Sequence, residues 1–190
     1  MIARWWPPVG LAAMVLLGWA VRGGPIPVDD WFQQAGHDMG SYRDVFLVFS
    51  KPPLVAVAWA AGIVVALRQH RRRLAIAMAV TPLLTFAMMR AGKHIFGREK
   101  EGALAYPSGH TTFLVTVAGL LVLLAGVGMW ALIAAVCVCL LGMLGLSMTF
   151  HYFTDTIGGA LLATSAVCLV AWLAHDEPSG QSSSAPADLR

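Results

Sequence analysis

Long apolar runs, broken by short charged stretches, set the pattern of this chain. No charged residue occurs in 5–21, 52–67, 74–89, 111–150 or 156–174. A helix needs about 20 residues to cross about 30 Å of hydrocarbon at a rise of 1.5 Å per residue. The shorter runs reach that length by borrowing a flank whose Arg or Lys can snorkel to the headgroups. The run 111–150 is about 60 Å long as a helix, so it must hold two spans, with the bend predicted at Gly126-Val127-Gly128. The expected architecture is all-α, a polytopic membrane bundle of six transmembrane helices occupying residues 1–175. Within the segment 22–51, residues 25–50 mix Trp31, Phe32, Tyr42 and Phe46 with acids, which predicts a helix lying in the interface. Residues 176–190 are Ser- and Pro-rich and predict a disordered tail. A cleaved signal peptide competes for residues 1–22, because Arg4 and a short apolar core suit one. Losing that span would leave five and break the in-and-out count, so a span is expected there.

Composition agrees with the pattern. Of 190 residues, 58% are hydrophobic and 12% charged, with a mean hydropathy of +0.70. Soluble domains run to about 45–50% apolar and about 25% charged, so a soluble globule is excluded, and so is disorder, which needs the opposite balance. The excess of 13 Lys+Arg over 10 Asp+Glu is too small to suggest nucleic acid as a partner. Cys137, Cys139 and Cys168 all sit inside apolar runs and read as small buried hydrophobes, not as a disulfide framework.

Placement of charge gives orientation. Arg68, Arg71, Arg72 and Arg73 form an acid-free cluster between the second and third runs, and Arg4 precedes the first. Segment 22–51 instead sets three basic residues against Asp29, Asp30, Asp38 and Asp44. The positive-inside rule then predicts cytoplasmic termini in a plasma or inner membrane, with 22–51, 91–110 and 151–155 facing outward.

Those outward stretches hold the polar residues least expected in such a chain. Lys93, Arg98 and Lys100 are followed by Pro107-Ser108-Gly109-His110, and after 40 uncharged residues comes His151-Tyr-Phe-Thr-Asp155. A chain that crosses and returns brings His110 and His151 back to one face. Ser108 suits an N-cap, so the amides and dipole of the following helix make an anion site. Gly109 permits close approach, and the three cations suit a phosphate. His151 and Asp155, four apart, share a face if both are helical. The carboxylate could then orient and charge the imidazole while its other nitrogen attacks, with His110 as the acid for the leaving oxygen. Blander readings are a simple helix cap, a local His–Asp pair and headgroup anchors. A metal site at His110, His151 and Asp155 lacks HExxH-type spacing. Ionisable residues at membrane depth are nevertheless functional candidates by default.

The order Lys93-x6-Lys100, Pro107-Ser108-Gly109-His110 and His151-x3-Asp155 resembles the type 2 phosphatidic acid phosphatase superfamily, membrane lipid phosphatases related to the vanadium haloperoxidases, across roughly residues 50–172. The resemblance implies His151 as the nucleophile forming a phosphohistidine, Asp155 orienting it and His110 as the acid. It implies Lys93, Ser108 and Gly109 as phosphate ligands, with no metal or cofactor. Two departures stand out. Lys100-Glu101 replaces an Arg-Pro, and Leu144-Gly145 replaces the Ser-Arg before the second histidine, so a phosphate-binding arginine is missing. Arg98, or else Arg90, is the expected stand-in, since a guanidinium can hold two oxygens. The function implied is hydrolysis of a lipid phosphate monoester or pyrophosphate: a polyprenyl diphosphate, a polyprenyl-phosphoryl sugar phosphate, phosphatidate or phosphatidylglycerophosphate. Phosphotransfer to another lipid, or a non-catalytic phospholipid binder or transporter on a degenerate site, are the alternatives. Neither the choice of lipid nor the oligomeric state follows from the sequence.

Overall fold

A computed structural model of the protein describes residues 2–175; the tail expected at 176–190 lies outside the described residues. Among the described residues there are eight α-helices: α1 (Ile2–Val21), α2 (Pro27–Met39), the short α3 (Asp44–Leu47), α4 (Pro52–Arg68), α5 (Arg72–Phe96), α6 (Gly109–Leu124), α7 (Met129–Ser147) and α8 (Phe153–His175). A two-stranded antiparallel hairpin, β1 (Glu99–Lys100) with β2 (Ala103–Leu104), links α5 to α6. The charge-free runs coincide with the apolar helices, and the long run divides at the turn between Leu124 and Met129, where Val127 takes a positive φ. Four helical stretches are long and apolar enough to cross a bilayer: Pro27–Arg68, Arg72–Phe96, Met129–Ser147 and Phe153–Ala174.

Helix α6 is the hub, packing on α4, α5, α7 and α8, while α1 lies along α8. Leu114, Val117 and Leu120 of α6 are buried against α4 and α5. At the other side Tyr106 is fully buried, its Oη donating to the Met14 carbonyl and its ring packed edge-on to Phe96. Large apolar side chains also point outward in quantity, among them Leu16, Leu83, Phe86, Ile133 and Leu173. Water would not tolerate so continuous an apolar exterior; lipid, which is as apolar as leucine, does. The same reason corrects the reading of the cysteines: Cys137 is exposed, and Cys139 and Cys168 are only partly covered. In a bilayer an apolar residue need not face the bundle interior.

Segment 22–51 also differs from a helix merely resting at an interface. Asp29 of α2 is fully buried, Phe32 stacks on Phe153 at 4.3 Å, and Gly36 is buried against Met148. Trp31 and Tyr42 remain exposed. The segment clamps the end of the bundle where α5 stops and α6 and α8 begin.

Candidate active site

Three chain junctions meet at that end. Helix α5 closes on Gly97, whose φ of +60° gives the left-handed turn that ends a helix, with its N–H donating to the Lys93 carbonyl. Ser108 caps α6, its hydroxyl accepting the Thr111 N–H at 3.3 Å, and this places His110 in the first turn. Chain return through α7 brings His151 alongside, and the two imidazole centroids are 5.9 Å apart. The Ser108 N–H donates to the Asp155 carbonyl at 2.9 Å, joining the Pro-Ser-Gly-His and His-x3-Asp stretches directly.

His151 and Asp155 do not share a helix face. His151 lies in the bend before α8, its N–H donating to the Leu146 carbonyl, and Asp155 sits in the first helical turn. Asp155 turns back so that Oδ2 accepts the Tyr152 N–H at 3.0 Å and stands 3.8 Å from His151 Nδ1. That gap is too long for a hydrogen bond, and Nδ1 is buried with no hydrogen-bond partner among the described residues. The pair is set for charge attraction once the ring is protonated. Catalytic hydrogen bonds are often long before substrate is bound.

A cavity of about 470 Å³ opens from the two histidines. One end is lined by His110, His151, Lys93 and Gly109, so the positive end of α6 borders it. The other end is walled by Trp59 of α4, Pro82 and Phe86 of α5, and Phe113 of α6. Lys93 donates to the Leu104 and Ala105 carbonyls, which leaves one of its three N–H donors for a ligand. Arg90, one turn from Lys93 on the same helix, is exposed with its guanidinium 6.0 Å over the Phe86 ring.

The remaining expected phosphate ligands lie elsewhere. Ser108 is buried and occupied in capping. Arg98 is fully buried, Nη1 donating to Asp155 Oδ1 at 2.7 Å and to the Thr154 hydroxyl, Nη2 to Asp29 Oδ2 at 2.7 Å and to the Gly24 carbonyl. Its guanidinium also lies 4.5 Å above the Tyr152 ring. Arg98 is thus a cross-brace between α2 and α8, not a residue of the cavity wall. Lys100 donates to Gln33 Oε1 and to the Thr149 carbonyl, pinning the loop that carries His151. Burial pushes its ammonium below the usual lysine range, against the opposing pull of Glu101, Asp155 and Asp29.

Several contributors escaped the sequence reading. Asp29 accepts from Arg98, the Thr154 N–H and hydroxyl, and the Ile26 N–H. Gln33 donates to the Ser147 and His151 carbonyls. An acid three residues after Ile26, with a proline between, is a capping signal, but it does not disclose a partner on α8. Gly145, standing where the related pattern has arginine, packs face to face with the chain of α3. A Cβ there would fall 2.8 Å from the Phe46 carbonyl carbon and 2.9 Å from the Leu47 nitrogen. Backbone cannot swing aside as a side-chain tip can. Gly145→Arg is therefore expected to lower the yield of folded, monodisperse protein in size-exclusion chromatography, and a well-folded variant with raised activity would contradict this packing.

No family model, curated protein or solved structure matches the chain.

Proposed function

We propose that the protein is an integral membrane phosphatase of the type 2 phosphatidic acid phosphatase kind, hydrolysing a phosphate monoester or pyrophosphate of a lipid. The observation that carries this reading is the two-ended cavity: two histidines, a lysine and a helix N-terminus at one end, and an aromatic and aliphatic wall at the other. A lipid phosphate has the same two-ended chemistry. In the reaction, His151 Nε2 attacks phosphorus as the P–O bond to the lipid breaks, and His110 protonates the departing oxygen. Water then attacks the phosphohistidine and releases inorganic phosphate, His110 now taking the proton. The Asp155 carboxylate stabilises the cationic imidazole ring, and Lys93 with the amides of α6 neutralises the phosphate oxygens. With Arg98 engaged elsewhere, Arg90, whose guanidinium lies over the ring of the cavity-lining Phe86, is the better stand-in.

Phosphate release by the purified protein across a panel of lipid phosphates tests the assignment. Turnover should be inhibited by vanadate, which mimics five-coordinate phosphorus, and left unchanged by EDTA. EDTA inhibition reversed by a divalent metal would replace this mechanism with a metal-dependent one. One observation favours a non-catalytic headgroup binder: among the described residues Lys93 is the only Lys or Arg that lines the cavity. Lipid phosphates that bind but never release phosphate or leave label on His151 would select that reading.

We also infer six crossings, α1 and α6 joining the four longer stretches. At 16 residues α6 is short, but it is enclosed by other helices and need not match the lipid thickness. The Arg68–Arg73 end then faces the cytoplasm and the histidines face outward. In a background without native cysteines, a cysteine at exposed Ala103 should react with an impermeant reagent from outside, and one at exposed Gln69 only after the membrane is opened. The reverse labelling would move the substrate pool to the inner leaflet.

A further inference from the structure

The end of the bundle away from the histidines carries a second cavity. Helix α5 begins at Arg72, α6 ends at Leu124 and α8 ends at His175, and these ends meet there, away from the ends that carry Lys93, His110 and Asp155. The cavity holds about 850 Å³, within the size range of ligand sites. One wall is cationic, formed by Arg71, Arg72 and Arg73 together with His70. The facing wall is apolar, formed by Leu123 of α6 and by Val170 and Leu173 of α8. Among the described residues no acid lines it. Arg71 is held in place, donating to the Leu124 carbonyl at 2.6 Å and the Leu123 carbonyl at 3.2 Å, so its charge is fixed at the rim by the end of α6. Leu173 and Val127 are largely exposed, which continues the apolar wall onto the outside of the bundle.

Charge and shape together specify an occupant. A soluble anion would match the arginines but leave the apolar wall wet, and a neutral lipid would match the wall but not the arginines. An anionic phospholipid satisfies both, with its phosphate beside Arg71 and Arg72 and the first methylenes of its chains along Leu123, Val170 and Leu173. We propose that this cavity is a binding site for an anionic phospholipid of the leaflet at the arginine end, distinct from the substrate site. Basic pockets between membrane helices bind anionic headgroups by this combination. The proposal shares with the catalytic reading only the bilayer, and it holds whether or not the protein turns over a lipid phosphate.

Native mass spectrometry of the full chain released from nanodiscs tests it without any activity assay. The discs would contain phosphatidylcholine alone or phosphatidylcholine with phosphatidylglycerol. The protein should retain phosphatidylglycerol in preference to phosphatidylcholine. Arg72→Gln should weaken that retention by about fivefold or more, the equivalent of about 1 kcal/mol for a single arginine near the lipid surface. Arg68→Gln, an exposed charge at the same end but outside the cavity, should change it little. The two variants leave Arg71 and its helix-end contacts intact, and their thermal unfolding in detergent should match the parent protein. Equal retention of the two lipids would overturn the proposal. So would retention that falls as much in the Arg68 variant as in the Arg72 variant, which would mean diffuse surface charge. Displacement of phosphatidylglycerol by millimolar inorganic phosphate or glycerol phosphate would overturn the lipid assignment in favour of a soluble anion.

Discussion

His151→Ala is expected to abolish turnover, by on the order of 10⁴-fold or more, while the protein remains folded in detergent. In the proposed mechanism every phosphoryl group passes through His151 Nε2, and alanine leaves no atom there to accept it. Its fold should persist because the ring holds little together. Nδ1 has no hydrogen-bond partner among the described residues, and the contacts that fix this turn use the His151 backbone, its N–H to the Leu146 carbonyl and its carbonyl from the Gln33 side chain. Asp155→Asn should behave differently, slower but alive, since it removes the charge behind the ring and keeps the nucleophile. It should also melt lower, because Asp155 is paired with Arg98. The check is single-turnover phosphate release with trapping of labelled protein. A His151→Ala protein that releases phosphate at the parent rate would end the phosphohistidine mechanism. His110→Ala should still take up label from substrates with good leaving groups, because acid catalysis matters least there.

How far the sequence discloses this site depends on how local each interaction is. Pro107-Ser108-Gly109-His110 and His151-x3-Asp155 are legible because capping is decided within four residues and an apolar hairpin of known length must return to its starting face. The six apolar helices are legible for the same reason: absence of charge is a one-dimensional signal. Arg98 is not. Its partners lie 69 and 57 residues away in the chain, and nothing in a sequence distinguishes a cation braced between two acids from one awaiting a phosphate. Clamping by α2 fails on the same ground, because Asp29 and Gln33 look like ordinary polar residues of an interfacial helix. The apolar wall is hidden for a different reason. Trp59, Phe86 and Phe113 lie in helices apolar on every side, where hydropathy cannot separate a cavity-facing residue from a lipid-facing one.

The brace itself gives the second large effect. Arg98→Ala is expected to damage folding first and chemistry second. Asp29, Arg98 and Asp155 are all fully buried, and among the described residues Arg98 is the only Lys or Arg in ion-pair contact with either acid, His151 alone otherwise approaching Asp155 at 3.8 Å. Removing one partner of a buried pair typically costs about 3–5 kcal/mol, because the surviving charge stays buried without compensation. Here two carboxylates would be left, against a total stability of about 5–15 kcal/mol. The melting temperature should fall by roughly 10 °C, with poor recovery of folded protein. Arg98→Lys should rescue only part, since one ammonium cannot span Asp29 and Asp155 as the guanidinium fork does. Asp29→Asn separates the two roles. It keeps the Arg98–Asp155 pair and therefore most of the fold, but it leaves Arg98 balanced by Asp155 alone. Arg98 then draws on Asp155 alone, and the carboxylate facing His151 Nδ1 is held less well for the charge that develops on the ring during phosphoryl transfer. The Asn variant should then lose kcat with little change in KM. If Arg98 were instead a phosphate ligand, Arg98→Ala would keep its melting temperature and raise KM, and Asp29→Asn would leave kcat alone. That pair of results would put the guanidinium back in the substrate's path and remove the brace from the mechanism.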